Sequence, residues 1–172
     1  WVTYGLGSTN QNLPGFVTLN PSGPGGAQNY GSSFLPASFQ GTRVQPEAGG
    51  IADIRTPHQT PVAQRSQIDL VQELNRSLLG RHPGNAELEG VIQSYELAYR
   101  MQTSVPEVLD LRSETQETQS RYGIDNKETA AFGRQCLMAR RLAEAGVRFI
   151  QITRGGWDQH RDLREALQRN CS

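Results

Sequence analysis

Cysteine is scarce in this chain of 172 residues, with Cys136 and Cys171 the only two. Two thiols permit one bridge at most, and their spacing does not decide between a bridge and two free groups, so a disulfide-built fold is excluded. Histidine is nearly as rare, at three residues, which limits where imidazole chemistry can sit. There is no excess charge of either sign. Seventeen basic residues balance 17 acidic ones, which argues against nucleic acid as a partner, because such binders carry a basic surplus. No apolar run reaches the roughly 18 residues that mark a membrane span. The phosphate-binding GxxxxGK[ST] loop and the GxSxG nucleophile elbow are both missing. Gly5-Leu6-Gly7 lacks the third glycine and the preceding strand of a dinucleotide fingerprint.

The residues that are present divide unevenly. The first 65 hold 10 of the 18 glycines and 7 of the 9 prolines. The stretch NPSGPGGAQNYGSS at 20–33 opposes both helix and ladder. Phe16, Val17 and Leu19 predict a short strand within this loop-rich third. So long a span of little regular structure suits functional loops of a larger fold. Mean hydropathy is −0.58, more polar than an average globular domain, yet the length allows a real core.

From residue 66 the pattern is helical. Ile68, Val71, Leu74 and Leu78 predict a helix over 66–79, with Ser66 as N-cap and Gly80 as stop. Leu88, Val91, Ile92, Tyr95 and Tyr99 predict a second helix over about 85–103. A shorter one starts at Pro106, whose missing N–H suits a first helical position. Residues 113–122 predict a solvated turn of helix ending at Gly123. A helix over about 127–145 places Phe132, Cys136, Ala139 and Ala143 on one stripe beside Met138 and Leu142, with Gly146 at its end. Cys136 on that stripe reads as a small core residue. Residues 147–152 alternate as a strand does, and helix, glycine and strand together form half of a βαβ unit, which makes the class α/β.

The chemistry concentrates after that strand, in Gly155-Gly156-Trp157-Asp158-Gln159-His160. In open α/β sheets ligands bind beyond the carboxyl ends of the strands. A carboxylate and an imidazole at such an edge suit a divalent metal, and they equally suit acid–base work. The alternative for Asp158 is an N-cap on a helix over 161–169, with His160 exposed in its first turn. Trp157 either walls a pocket or lies beside the strand end. His58 and His82 sit in Pro-flanked loops and read as surface residues. Tyr4, Asn10, Gln11 and Asn12 either line a pocket or perform turn chemistry. Arg100, Arg134, Arg140 and Arg141 are either anion ligands or solvated cations on helix surfaces.

Four blocks carry a resemblance: WVTYGLGSTNQNLPGF at 1–16, FLPASFQGT at 34–42, SYELAYRMQ at 94–102, and FGRQCLMARRLAEAGVRFIQI followed by GGWDQH at 132–160. In this order, over nearly the whole chain, they resemble the bacterial sulfatase-like family catalogued as domain of unknown function 1501, placed in the alkaline phosphatase superfamily. The resemblance implies a mixed sheet between helices, of which this chain is an internal piece truncated at both ends: loop-rich over 1–65, helical over 66–146, strand and site loop over 147–160, and the start of a helix over 161–172. It implies an exported, periplasmic or cell-envelope protein whose upstream signal lies outside this chain. It implies hydrolysis of phosphate or sulfate esters, on small molecules or polysaccharides, with zinc, manganese, calcium or magnesium. Asp158 and His160 are the metal ligands it points to; superfamily members separate the corresponding pair by three residues, whereas one intervenes here. The nucleophile is expected before Trp1. A non-catalytic binding or scaffold protein on the same fold is the other expectation. As a piece, the chain is expected to hydrolyse no ester alone, because the strand at 147–152 lacks its sheet neighbours.

Overall fold

A computed structural model describes residues 1–21, 23, 25–46, 50–51, 54, 60–158 and 160–171, with the side chains at 169 and 171 outside that set. Three strands form its sheet: β1 (Phe16–Leu19), β2 (Thr42–Val44) and β3 (Phe149–Ile152). Their order is β2-β1-β3 and both pairings are parallel, with Val17 opposite Thr42 and Ile150. The α/β class therefore holds, with helices flanking the sheet. The expectation that β3 lacks sheet neighbours is corrected: it pairs with β1 along all four of its residues.

Central β1 is the most buried strand. Val17 and Leu19 enter the core on one face with Val44, Met101, Val105, Met138, Leu142 and Val147. Ile150 and Ile152 of β3 pack against the same cluster; the strand covers Phe149–Ile152, shorter than the 147–152 expected, with Val147 buried just before it. On the other face Phe16 meets Phe149, ring centroids 4.8 Å apart.

The helices are α1 (Val2–Leu6), α2 (Pro61–Arg81), α3 (Ala86–Leu109), α4 (Gln116–Arg121), α5 (Ala130–Glu144) and α6 (Leu163–Cys171). α2 exceeds its expected length at both ends. Thr60, not Ser66, caps it, accepting from the Ala63 N–H at 3.2 Å, and Pro61 takes the first-turn position that needs no donor. Gly80 does not stop it; the helix runs to Arg81 and yields before Pro83.

The two helices expected around 85–103 and from Pro106 are one. Asn85 caps α3 through the Leu88 N–H at 3.0 Å, and Pro106 lies inside the helix. Burial explains the continuity: Met101 and Val105 belong to the core and hold the turn that Pro106 would otherwise break. A single-turn 3-10 segment, Leu111–Ser113, and α4 come next, with Gly123 at φ 65 ending the run as predicted.

The buried face of α5 is rotated from the expected stripe. Ala130, Gly133, Leu137, Met138 and Leu142 face inward, whereas Phe132 is exposed and Cys136 half-buried. Gly133 permits that face: a Cβ there would stand 2.0 Å from the Tyr122 carbonyl oxygen. At the helix end the Gly146 N–H donates to Ala143 at 3.0 Å and the Val147 N–H to Leu142 at 2.9 Å, with Gly146 at φ 92. This is the Schellman pattern, and it turns the chain directly into β3.

Candidate functional site at the carboxyl edge of the sheet

Because all three strands are parallel, the segments after Leu19, Val44 and Ile152 leave from one edge of the sheet. Backbone bonds stitch that edge together. The Asn20 N–H donates to Val44 at 3.0 Å and the Thr153 N–H to Leu19 at 3.2 Å. Asn20 takes φ 50, a left-handed conformation that asparagine tolerates better than most residues, and so turns off β1 at once.

The segment after β3 carries Asp158 and His160. Gly156 bends it at φ 87, and the Asn170 side chain donates to the Gly156 carbonyl at 2.7 Å, tying the loop to α6. The structure brings the two side chains together, with His160 Nε2 2.9 Å from Asp158 Oδ1. Both are open to solvent, at 83% and 90% side-chain exposure, so each can turn its lone pairs outward without repacking. Neither serves the helix. α6 begins at Leu163, the Ala166 N–H bonds the carbonyl of Asp162, and His160 lies before the first turn. The helix-cap reading of Asp158 is thereby set aside. One carboxylate oxygen and one imidazole nitrogen suit zinc or manganese better than calcium or magnesium, which favour all-oxygen shells. Among the described residues no group of three His, Cys, Asp or Glu side chains converges as a metal site. Trp157 is exposed beside the pair, and Arg154 lies over the Phe132 ring at 5.5 Å.

The other candidates fall elsewhere. His82 is exposed at the C-terminal end of α2, and His58 lies outside the described residues. Asn10 performs turn chemistry: its Oδ1 accepts from the N–H groups of Asn12 and Leu13 at 2.8 and 3.0 Å, and its amide donates to the Ala145 carbonyl. With Gln11, Asn12, Arg100 and Glu144 it also lines an open polar hollow of about 620 Å³. That hollow is at the amino ends of the strands, away from Asp158. Tyr4 turns instead to the Phe39 ring, 5.3 Å away. Arg140 and Arg141 are structural. Both pair with Glu114, at 2.9 and 2.7 Å, and Arg141 also donates to the Val108 and Glu107 carbonyls that end α3. Arg134 is exposed. Cys136 is a free thiol whose partial burial pushes its pKa up, so it is no activated nucleophile.

Sequence reasoning missed β2 and the hollow beyond it. This hollow, of about 710 Å³, is lined by Pro46, Ile51, Ile54, Pro106, Asp110 and Met138 among others. Arg112 donates to the Asp110 carboxylate and holds its pKa down at about 2. Neither Asp158 nor His160 lines this hollow. It lies beyond β2, which β1 separates from β3 and the His/Asp loop. The only sequence signal for it was the apolar pair Ile51 and Ile54 in a Gly/Pro-rich setting.

A parallel sheet with helices packed on it defines an α/β protein, and a carboxylate–imidazole pair stands past the carboxyl end of one of its strands. Over residues 1–172 the chain matches the protein family of unknown function DUF1501, and it belongs to that family. No curated protein matches it, and no solved structure does.

Proposed function

We propose that the chain is part of a sulfatase-like fold of the alkaline phosphatase superfamily and that the intact protein is an exported, metal-dependent hydrolase of phosphate or sulfate esters. The observation that carries this reading is the Asp158–His160 pair at the carboxyl edge, 2.9 Å apart on a loop tied to α6. Asp158 supplies an oxygen and His160 a nitrogen to a divalent ion. When bound, such an ion polarises an ester oxygen and makes a bound water or hydroxyl a better nucleophile. The exposure of both residues leaves room for a substrate to approach from solvent. Two ligands hold an ion weakly, so the remaining ones come from outside the described residues.

A second reading has its own support. The pair is almost wholly solvent-exposed, and no third ligand joins it among the described residues. A non-catalytic binding or scaffold protein on the same fold accounts for that equally. Hydrolysis separates the two. The intact protein, reconstituted with zinc or manganese, is assayed on 4-nitrophenyl phosphate and 4-nitrophenyl sulfate. The hydrolase reading predicts turnover of at least one ester and a loss of about 100-fold in Asp158→Asn. Absence of turnover on both, or a variant as active as the parent, removes it in favour of the binding protein.

A further inference from the structure

The first 42 residues contain no Lys, Arg, Asp, Glu or His, although they carry seven Asn and Gln and six aromatic residues. Four of those aromatic side chains gather on one surface. Trp1 meets Phe34 edge-on at 5.2 Å and Tyr4 at 6.3 Å, and Tyr4 meets Phe39 at 5.3 Å. Trp1, Tyr4 and Phe34 are 69%, 56% and 76% exposed, and Leu6 is exposed on the same short helix. These rings lie outside the buried hydrophobic cluster of the described residues.

The surface is held in shape. Ser32 donates to the Leu35 carbonyl at 2.9 Å and fixes the turn that presents Phe34. Gly90 lets Pro36 rest against α3; a Cβ there would come to 3.1 Å from the proline. Thr3 is buried against Gly15 and so anchors α1 just before β1. Beside Phe34 a cleft of about 370 Å³ is lined by Ser33, Pro36, Gln40, Glu87 and Val91, a size within the range of small-ligand sites. The cluster lies toward the amino ends of the strands, opposite the edge that bears Asp158 and His160, so it rests on no part of the hydrolase reading.

We propose that this face binds an uncharged polysaccharide. Ring faces and edges pack on the apolar C–H faces of sugars, and the hydroxyl of Ser33, the amide of Gln40 and the carboxylate of Glu87 suit sugar hydroxyls. The lack of cations among the first 42 residues selects the partner. An anionic glycan or a membrane surface calls for Lys and Arg around the rings, and the first 42 residues supply none.

The test is electrophoresis of the intact protein in native gels containing hydroxyethyl cellulose, xylan, galactomannan or laminarin, with alginate as the anionic comparison and mobility in a plain gel as reference. The expected result is retardation by at least one neutral polymer and not by alginate. Phe34→Ala and Trp1→Ala weaken it about tenfold, the worth of one ring contact with its buried area, and Phe34→Tyr retains it. The residues are exposed, so unchanged circular dichroism and melting temperature confirm that the variants remain folded. Retardation by no neutral polymer, equal retardation by alginate, or indifference to both alanine substitutions overturns the proposal. So does a self-associated protein that Phe34→Ala makes monomeric without any effect of glycan, which would make the face a contact between copies.

Discussion

Asn10 ties the start of the chain to the end of α5 through a single side chain, with two backbone donors on its oxygen and the Ala145 carbonyl on its amide. Asn10→Ala leaves all three without that partner. An expected cost of about 1–2 kcal/mol would be read as a lower urea midpoint. Gly133→Ala costs about 1–3 kcal/mol by pushing α5 off the Tyr122 carbonyl. Thr18 gives the opposite sign. Its hydroxyl is fully buried in β1 with no hydrogen-bond partner among the described residues, so Thr18→Val is expected to stabilise the fold by about 1 kcal/mol; destabilisation would show that the hydroxyl is satisfied. At this scale the sequence was readable where chemistry is local. The Asn10-x-Asn12 turn needs only nearby atoms. The offset of the α5 face was not readable, because Phe132 is apolar enough to suggest core, and only the contact of Gly133 with Tyr122 decides otherwise.

Elements were legible wherever apolar spacing ran long, and their ends were not. Ser66 and Thr60 are both good caps, and the choice fell to Thr60 because Pro61 favours the first turn after it. Pro106 would end an isolated helix, but Val105 and Met101 are anchored in the core. The C-terminal end of α3 is then held by Arg141, which shares Glu114 with Arg140. The Arg141 guanidinium first, with Arg140 adding, holds the Glu114 carboxyl below its ordinary value of 4.5. A depressed pKa in the folded state adds stability above about 4.5 and loses it as pH falls through the folded value. Glu114→Gln is therefore expected to be less stable than the parent at pH 7, with the gap closing toward pH 3, measured as urea midpoints at both. A gap that persists unchanged at pH 3 would mean that the charge is irrelevant. Leu142→Ala removes a fully buried side chain from the seam of α5, β1 and β3. The expected loss is about 2–5 kcal/mol by calorimetry or denaturant titration.

Across the whole molecule the sheet organises the site. Its α/β character could be read from one helix–glycine–strand passage, because a parallel strand requires a crossover and the Schellman turn at Gly146 supplies its end. β2 was hidden, since three residues, Thr42–Val44, are too short for alternation to register. The large hollow beyond β2 was hidden with it. The pairing of Asp158 with His160 was legible as sequence proximity, and the structure adds that both leave the same sheet edge as the β1 and β2 segments. The most direct test of the metal-site reading is bound metal per chain, by elemental analysis of the intact protein reconstituted with zinc or manganese, for wild type, Asp158→Asn and His160→Ala. A metal site at this edge predicts one or two ions in the wild type, roughly the number such hydrolytic sites hold, and loss of at least one in each variant. Metal-free wild type, or variants that keep every ion, would contradict it.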